Sequence, residues 1–129
     1  MRDEIAAQHR RLDGLFGAVR HALSRAGVED GSALAELEEA LAAHFEQEDR
    51  LYYPTVGSLR PEHRASVARF ASDHERFLGR LEKVAERLRS RALEEASREF
   101  EAFAADFAGH ETREESLLRA LQAEIEAAR

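Results

Sequence analysis

The sequence contains no cysteine and only two prolines. Without cysteine there is no disulfide framework, no thiolate metal site and no thiol nucleophile. Because prolines are few and leucine, alanine, glutamate and arginine dominate, the composition favours helices that nothing interrupts. A chain of 129 residues is long enough to bury a core, and this length predicts a single domain over residues 1–129. We therefore expect an all-α fold.

Long apolar runs are missing as well. No run approaches the roughly 18 residues that a membrane span needs, and no apolar signal-peptide region follows Met1. The net charge of −7 disfavours nucleic acid and anionic membrane surfaces as partners. We expect a cytoplasmic protein with neither a nucleic-acid nor a membrane partner, and the sequence identifies no protein partner.

Apolar residues recur every three or four positions in four successive stretches, which is the spacing of one helix face. The second stretch is expected to run from a cap at Ser32 to Pro54, followed by a loop over 55–60. Pro61 suits the first turn of the third stretch, and Ser90 is the candidate cap of the fourth. Four helices joined by short loops predict an antiparallel up-down four-helix bundle.

Six polar residues share these otherwise apolar faces. Arginine, which is common elsewhere in the chain, is absent from them, so chance does not explain the selection. An ionised carboxylate inside a bundle costs many kcal/mol unless it is paired or bound to metal. The six candidate metal ligands are His9, His44, Glu48, His74, His110 and Glu114.

Two pairs among the six repeat the motif His-x-x-x-Glu: His44 with Glu48, and His110 with Glu114. Residues four apart stack one turn above the other, about 6 Å along the helix axis. In an up-down bundle all six positions fall toward the same end. The pattern predicts a site for two metal ions bridged by glutamate. A metal-free polar network is the alternative, but it would more often use asparagine or glutamine, and every buried charge would need a partner.

Other residues near these positions are weighed by helical phase. His21 and His63 are predicted to face solvent, and Glu114 is preferred over Glu115 because only Glu114 is in phase. Tyr52 lies one turn beyond Glu48. It would either donate to a bridging oxygen or act as a redox relay, or else sit at the core edge with its hydroxyl in water, which is the more common arrangement.

The donor types indicate the metal. Imidazole with bridging carboxylate suits iron, and also manganese or zinc, which we expect less. Ferritin-like di-iron bundles use Glu-x-x-His pairs, and none occurs in this chain.

The pattern H…HxxxE…H…HxxxE, with the segment EDRLYYP over 48–54, resembles the hemerythrin-like, or HHE cation-binding, family across essentially the whole chain. The resemblance implies two iron ions joined by an oxo or hydroxo bridge. Glu48 and Glu114 would bridge them. His9 and His44 would bind one iron, and the remaining two histidines of the set the other.

One difference from oxygen-carrying hemerythrins concerns function. Those proteins have a further histidine where this chain has Leu78, and an aspartate at the place of Glu115. The chain therefore looks more like the four-histidine, two-glutamate branch, which includes iron–sulfur repair proteins and bacterial proteins with peroxide or nitric oxide chemistry. The cysteine-bearing segment of many repair proteins is absent. The missing imidazole leaves positions open to a small ligand, inside a dry pocket formed with Phe70, Phe77, Phe103 and Phe107.

We therefore expect a non-haem di-iron protein that binds or reacts with O₂, peroxide or nitric oxide. An oxidoreductase with catalase-like activity is one form of this hypothesis. A reversible oxygen carrier or storage protein, and a redox or iron sensor acting through a partner, are the alternatives.

Overall fold

The computed structural model of the chain describes residues 2–24 and 31–128, without the side chains of Arg2 and Ile5. Within that part there is no β-strand, which confirms the all-α class. No helix in those ranges is both long and apolar enough to cross a bilayer. The elements are α1 (Arg2–Ser24), α2 (Ser32–Gln47), a π turn (Glu48–Tyr52), α3 (Tyr53–Leu59), a 3₁₀ turn (Pro61–His63), α4 (Arg64–Arg89) and α5 (Leu93–Ala127).

The four long helices enclose a common core. Helix α1 contacts α2 and α5, and α4 likewise contacts α2 and α5, so the contacts form a closed ring. Phe16 of α1 lies against Phe100, Phe103 and Phe107 of α5, with ring centroids 5.3 to 5.6 Å apart. Each fully buried phenylalanine contributes about 1.5–3 kcal/mol of hydrophobic stabilisation. The apolar faces predicted by helical spacing are the faces that pack together as a bundle.

The prediction that the second helix ends at Pro54 is wrong. The helix continues as a π turn and then as α3 up to Leu59, in place of the expected loop. In the π turn the amide of Tyr53 donates to the carbonyl of Glu48, five residues earlier. Pro54 follows in the first turn of α3, where the ladder of α-helical hydrogen bonds is already interrupted, so its missing N–H is tolerated.

The π turn changes which residues face the core. It adds one residue to a helical turn, which rotates the following side chains by about 100° relative to a continuous α-helix. Leu51, which the three-to-four-residue spacing of the second stretch places on the apolar face, is 52% exposed, while Tyr52 and Tyr53 are buried. The register of this segment therefore differs from the one that simple helical spacing predicts.

Two predicted caps are also wrong. Ser32 begins α2, but the capping position is Gly31, whose positive φ of 88° suits glycine. Ser90 is the C-terminal cap of α4, and Ala92 holds the capping position of α5. The next residue, Arg91, is left-handed with φ of 62°, and its amide and that of Ala92 donate to carbonyls of the last turn of α4. This is a Schellman ending, which usually has glycine at the left-handed position.

Candidate metal centre

The structure brings the six candidate ligands together from all four long helices and the π turn, and all six are buried. They form two groups of four that share Glu48 and Glu114. One group adds His9 and His44, the other His74 and His110, and within each group the nitrogen and oxygen atoms lie within 4.8 Å of one another. Two adjacent four-ligand sets with common carboxylates are the arrangement that a pair of bridged metal ions requires.

The inner nitrogen of each imidazole, Nε2, faces a glutamate. Glu114 carries an oxygen 3.2 Å from Nε2 of His9 and another 3.7 Å from Nε2 of His110. A single oxygen of Glu48, Oε1, lies 3.4 Å from Nε2 of His44 and 3.2 Å from Nε2 of His74. The two carboxylates therefore lie between the two pairs of histidines.

The outer nitrogen of each imidazole, Nδ1, faces an oxygen of another side chain. The four nearest facing pairs are His9 with Glu115, His44 with Gln8, His74 with Asp49 and His110 with Asp73. A second carboxylate, that of Glu111, lies 3.2 Å from Nδ1 of His9. Three of the four nearest contacts are hydrogen bonds, while the Asp49 oxygen lies 3.0 Å from Nδ1 of His74 without the alignment of a hydrogen bond. An acceptor at this position favours the proton on Nδ1 and leaves the lone pair of Nε2 free for a metal. This outer shell cannot be read from helical phase, because all four pairs join residues of different elements.

Burial sets the protonation of the imidazoles. It lowers the pKa of His44 to about 4, and it also lowers the pKa of His74 and His110. These three are neutral at neutral pH, which is the form that binds metal. His9 is different: burial acts to lower its pKa, but hydrogen bonds and charges from Glu114 and its neighbours on α5 outweigh this effect and raise it.

The two glutamates are buried side by side. Burial, followed by the adjacent carboxylate of Glu114, raises the pKa of Glu48 well above its ordinary value. Burial opposes ionisation of Glu114, but the close approach of Glu48, His9 and Tyr53 together lowers its pKa. Without a cation the pair thus shares one proton, as expected for two carboxylates in a dry site.

Unpaired polar atoms test whether a metal fits here. Glu48 Oε2, Glu114 Oε1 and Nε2 of both His9 and His110 are buried without a hydrogen-bond partner. No arginine or lysine is buried anywhere in the described ranges, so none of them supplies a compensating charge at the centre. Lone pairs left unpaired in an apolar interior are costly, and a divalent cation with nitrogen and carboxylate ligands would satisfy them. The donor set therefore fits a transition metal.

Glu114 and Glu115 occupy different places around His9. Glu114 is 1% exposed and points into the centre. The side chain of Glu115 is 41% exposed and accepts at the outer face of the His9 ring, 3.0 Å from Nδ1. Glu114 thus lies at the inner position that helical phase assigns to it, and Glu115 orients the ring from behind.

Tyr53 is a site residue that the sequence analysis misses. Its hydroxyl lies 3.1 Å from Nε2 of His74, 3.3 Å from an oxygen of Glu48, and donates to Glu114. Burial and then the two carboxylates raise its pKa, so the phenol keeps its proton. Helical spacing points to Tyr52 instead, but the hydroxyl of Tyr52 donates to Glu4 and lies neither at the centre nor free in water. The extra residue of the π turn rotates the side chains that follow it, which is why Tyr53 lies at the centre in place of Tyr52.

Aromatic side chains surround the histidines. The four phenylalanines predicted for a dry pocket are buried. The rings of Phe70 and Phe77 each pack edge-on against His110 with centroids 5.3 Å apart. Phe45, also missed by the sequence analysis, stacks on His74 at 4.0 Å. Leu78 is half-buried and lines a surface groove between α2 and α4 that reaches His74.

The remaining histidines lie away from the centre. His21 is exposed, as predicted. His63 is half-buried, contrary to prediction, because it packs toward the end of α5, with Nε2 3.4 Å from Glu124. Arg60 lies 3.1 Å from the other oxygen of Glu124 and supplies the positive charge there.

A helical bundle that directs four imidazoles and two carboxylates into one buried centre defines a metal-binding bundle protein. The hemerythrin HHE cation-binding domain matches residues 1–121, and the chain belongs to this family. Searches of curated proteins and of solved structures give no significant match.

Proposed function

We propose that this chain binds two iron ions at its buried centre and that the loaded centre reacts with a small oxidant, namely O₂, peroxide or nitric oxide. Glu48 and Glu114 would bind both ions. His9 and His44 would bind one of the two ions, and His74 and His110 would bind the other. Manganese or zinc would fit the same donors, but iron suits both this donor set and the proposed redox chemistry.

The observation that carries the proposal is the orientation of the four imidazoles. Each has an acceptor behind Nδ1, and each directs Nε2 toward a carboxylate at the centre. A network of buried hydrogen bonds would pair these inner atoms, whereas several of them have no hydrogen-bond partner. Outer-shell acceptors of this kind are typical of metal-bound histidines.

We also propose that the chain is one domain in which neighbouring helices run in opposite directions. His9 lies near the start of α1, while His44 and Glu48 lie at the end of α2 and in the π turn that follows. His74 lies in the first half of α4. Positions near a start and near an end meet most simply when neighbouring helices run in opposite directions, as in an antiparallel up-down bundle formed by residues 1–129.

Iron bound at the centre would supply electron transfer and coordination positions that a small ligand can occupy. The chain's own residues prepare the surroundings. Tyr53 holds a proton at its hydroxyl between Glu114, Glu48 and His74, close to where a ligand would be bound. Phe45 and Phe77 cover the histidines and exclude water. Leu78 contributes no ligand, so the centre has fewer imidazoles than the oxygen carriers that it resembles.

Metal analysis and optical spectroscopy test the proposal. We expect about two iron ions per chain after anaerobic loading with Fe²⁺, and a spectrum that changes when O₂ or peroxide is added to the reduced protein. The double variant His44→Ala, Glu48→Ala should lose the metal. The matched control His21→Ala, which changes an exposed histidine, should retain it. Absence of bound transition metal from the folded wild-type chain would refute the proposal.

The same spectra separate the three functions that the family allows. Rapid consumption of peroxide by the iron-loaded protein supports an oxidoreductase. A stable oxygenated spectrum that reverses when O₂ is removed supports a carrier, which the leucine at position 78 argues against. Slow turnover with a change of conformation or oligomeric state supports a sensor.

A further inference from the structure

The acceptors behind the four histidines are not alike. Three are carboxylates, and the fourth is the neutral amide of Gln8, whose oxygen faces Nδ1 of His44. The carboxylate-backed histidines are His9 with Glu111 and Glu115, His74 with Asp49, and His110 with Asp73. His44 is therefore the one ligand of the four whose outer nitrogen faces no carboxylate. Only the group that contains His9 and His44 therefore includes an amide-backed ligand.

The amide of Gln8 belongs to a chain of hydrogen bonds that ends at the surface. Its nitrogen donates to the oxygen of Gln47 over 2.9 Å, and the nitrogen of Gln47 donates to the hydroxyl of Tyr52 over 3.1 Å. The Tyr52 hydroxyl donates in turn to Glu4 over 2.8 Å. Glu4 and Gln8 belong to α1, whereas the other members belong to α2 or to the π turn. These hydrogen bonds therefore also hold α1 against the segment formed by α2 and the π turn.

The donor and the acceptor of each hydrogen bond in this series follow from Glu4, the carboxylate at its surface end. A carboxylate only accepts, so the hydroxyl of Tyr52 must donate to Glu4 and its oxygen must accept from Gln47. The amide of Gln47 then presents its oxygen to Gln8, and the amide of Gln8 presents its oxygen to His44. The proton of His44 is thereby held on Nδ1, and Nε2 faces the centre with a free lone pair.

We propose that Gln8 is a positioning residue that makes the metal position between His9 and His44 the weaker of the two. A carboxylate behind an imidazole raises its basicity and its affinity for metal, and a neutral amide does so less. The position between His74 and His110 has carboxylates behind both rings. This inference rests on the proposed function, because it assumes that both positions bind metal.

Titration of the metal-free chain with Co²⁺ measures the two affinities, with a chromophoric chelator as competitor. Replacing Gln8→Glu places a carboxylate behind His44 and should tighten the weaker step by about tenfold. The mirror variant Asp73→Asn places an amide behind His110 and should weaken the stronger step by about tenfold. Both variants should therefore reduce the difference between the two Co²⁺ affinities: Gln8→Glu by tightening the weaker step, and Asp73→Asn by weakening the stronger step.

Location is the second readout, because repulsion between two bound cations also separates the steps. In crystals grown with one equivalent of Co²⁺, the anomalous signal should lie between His74 and His110. Tyr52→Phe removes a link of the hydrogen-bond chain and should weaken the second step further, with helix content by circular dichroism as the control for folding.

The outcomes distinguish this inference from the proposed function. A first Co²⁺ ion found between His9 and His44, or weak and strong steps that neither Gln8→Glu nor Asp73→Asn changes, would overturn the role of Gln8 while leaving a two-metal centre. Binding of no Co²⁺ to the folded wild-type chain would contradict both proposals. If Gln8→Glu does not fold, the mirror variant and the anomalous signal decide.

Discussion

Single side chains determine how the buried carboxylates are accommodated. Tyr53 reaches both of them and one histidine, so it is the main uncharged hydrogen-bond donor to the pair. Its neighbour Tyr52 is also buried, but the hydroxyl of Tyr52 donates a hydrogen bond to the exposed Glu4. Two tyrosines that are adjacent in the sequence therefore act on different parts of the centre, one on the inner glutamates and one on the outer shell.

Tyr53→Phe should destabilise the metal-free protein by about 1–3 kcal/mol, because the buried carboxylate of Glu114 loses a hydrogen-bond donor. Tyr52→Phe removes a hydroxyl whose acceptor is exposed and can bind water instead, so its effect should be smaller. Urea denaturation of both variants without metal gives the comparison. Equal losses of stability would show that the Tyr53 hydroxyl has no special role in supporting the carboxylates.

Glu48→Gln should change how the stability of the metal-free protein depends on pH. The folded-state pKa of Glu48 lies above its unfolded value, so the folded chain retains a proton that the unfolded chain releases. Stability from this group is present at pH values below the unfolded pKa and is lost as pH rises toward the folded pKa, by up to about 1.4 kcal/mol per pH unit.

Between pH 7 and 9, wild-type protein should therefore lose stability relative to Glu48→Gln, which has no such proton. Denaturant titrations at several pH values, without metal, measure the difference. The opposite slope, or parallel curves for the two proteins, would mean that Glu48 does not hold the shared proton. Comparing the two proteins cancels the titration of the histidines that are common to both.

At the scale of elements, the π turn has the largest influence on the site. A chain that continued as an α-helix through residues 48–52 would direct Leu51 toward the core, as simple spacing predicts. The observed turn exposes Leu51 and buries both tyrosines. Such turns are rare and are often found at functional sites, where tertiary contacts stabilise them.

Deletion of Leu51 tests how this turn sets the register of the residues that follow it. The π turn holds one residue more than an α-helical turn, so removing one residue would restore an α-helical turn and leave Tyr53 and α3 on the faces that they occupy now. We therefore expect the deletion to be tolerated, with a loss of unfolding free energy no more than about 1 kcal/mol in urea denaturation. Leu51→Ala is the matched control: it removes the exposed side chain and keeps the π turn, and should alter stability by less than about 0.5 kcal/mol. A deletion that destabilises the protein far more than the control does would contradict this explanation of the register.

For the whole molecule, the metal centre links all four long helices. The six residues come from α1, α2, the π turn, α4 and α5, so a bound ion would connect segments that are otherwise held mainly by apolar packing. It would also remove the repulsion between the buried glutamates. Metal affinity and folding stability should therefore be coupled.

Removal of metal by a chelator should lower the thermal midpoint of the protein. A metal present at a thousand times its dissociation constant stabilises a fold by about 4 kcal/mol. Differential scanning calorimetry with and without metal measures the shift. In Glu48→Gln, Glu114→Gln the midpoint should not respond to metal, and a wild-type protein that shows no response either would contradict the coupling.

Much of this molecule can be read from its sequence. Apolar residues every three or four positions predict the four long helices, because helix formation follows local spacing. The same spacing identifies His9, His44, His74, His110 and the two glutamates as inward-facing, and their side chains restrict the chemistry to nitrogen and oxygen ligands. These conclusions depend on neighbours within one or two helical turns, so no knowledge of the tertiary structure is needed.

The tertiary structure alone decided the π turn, the exchange of Tyr52 for Tyr53 at the centre, and the acceptors behind the histidines. A π turn has little local preference and depends on packing of the segments around it. Every outer acceptor lies on a different element from its histidine: for example, Gln8 of α1 faces His44 of α2, and Asp73 of α4 faces His110 of α5. Such pairs are set by how the helices pack, and local periodicity along one helix carries no information about them.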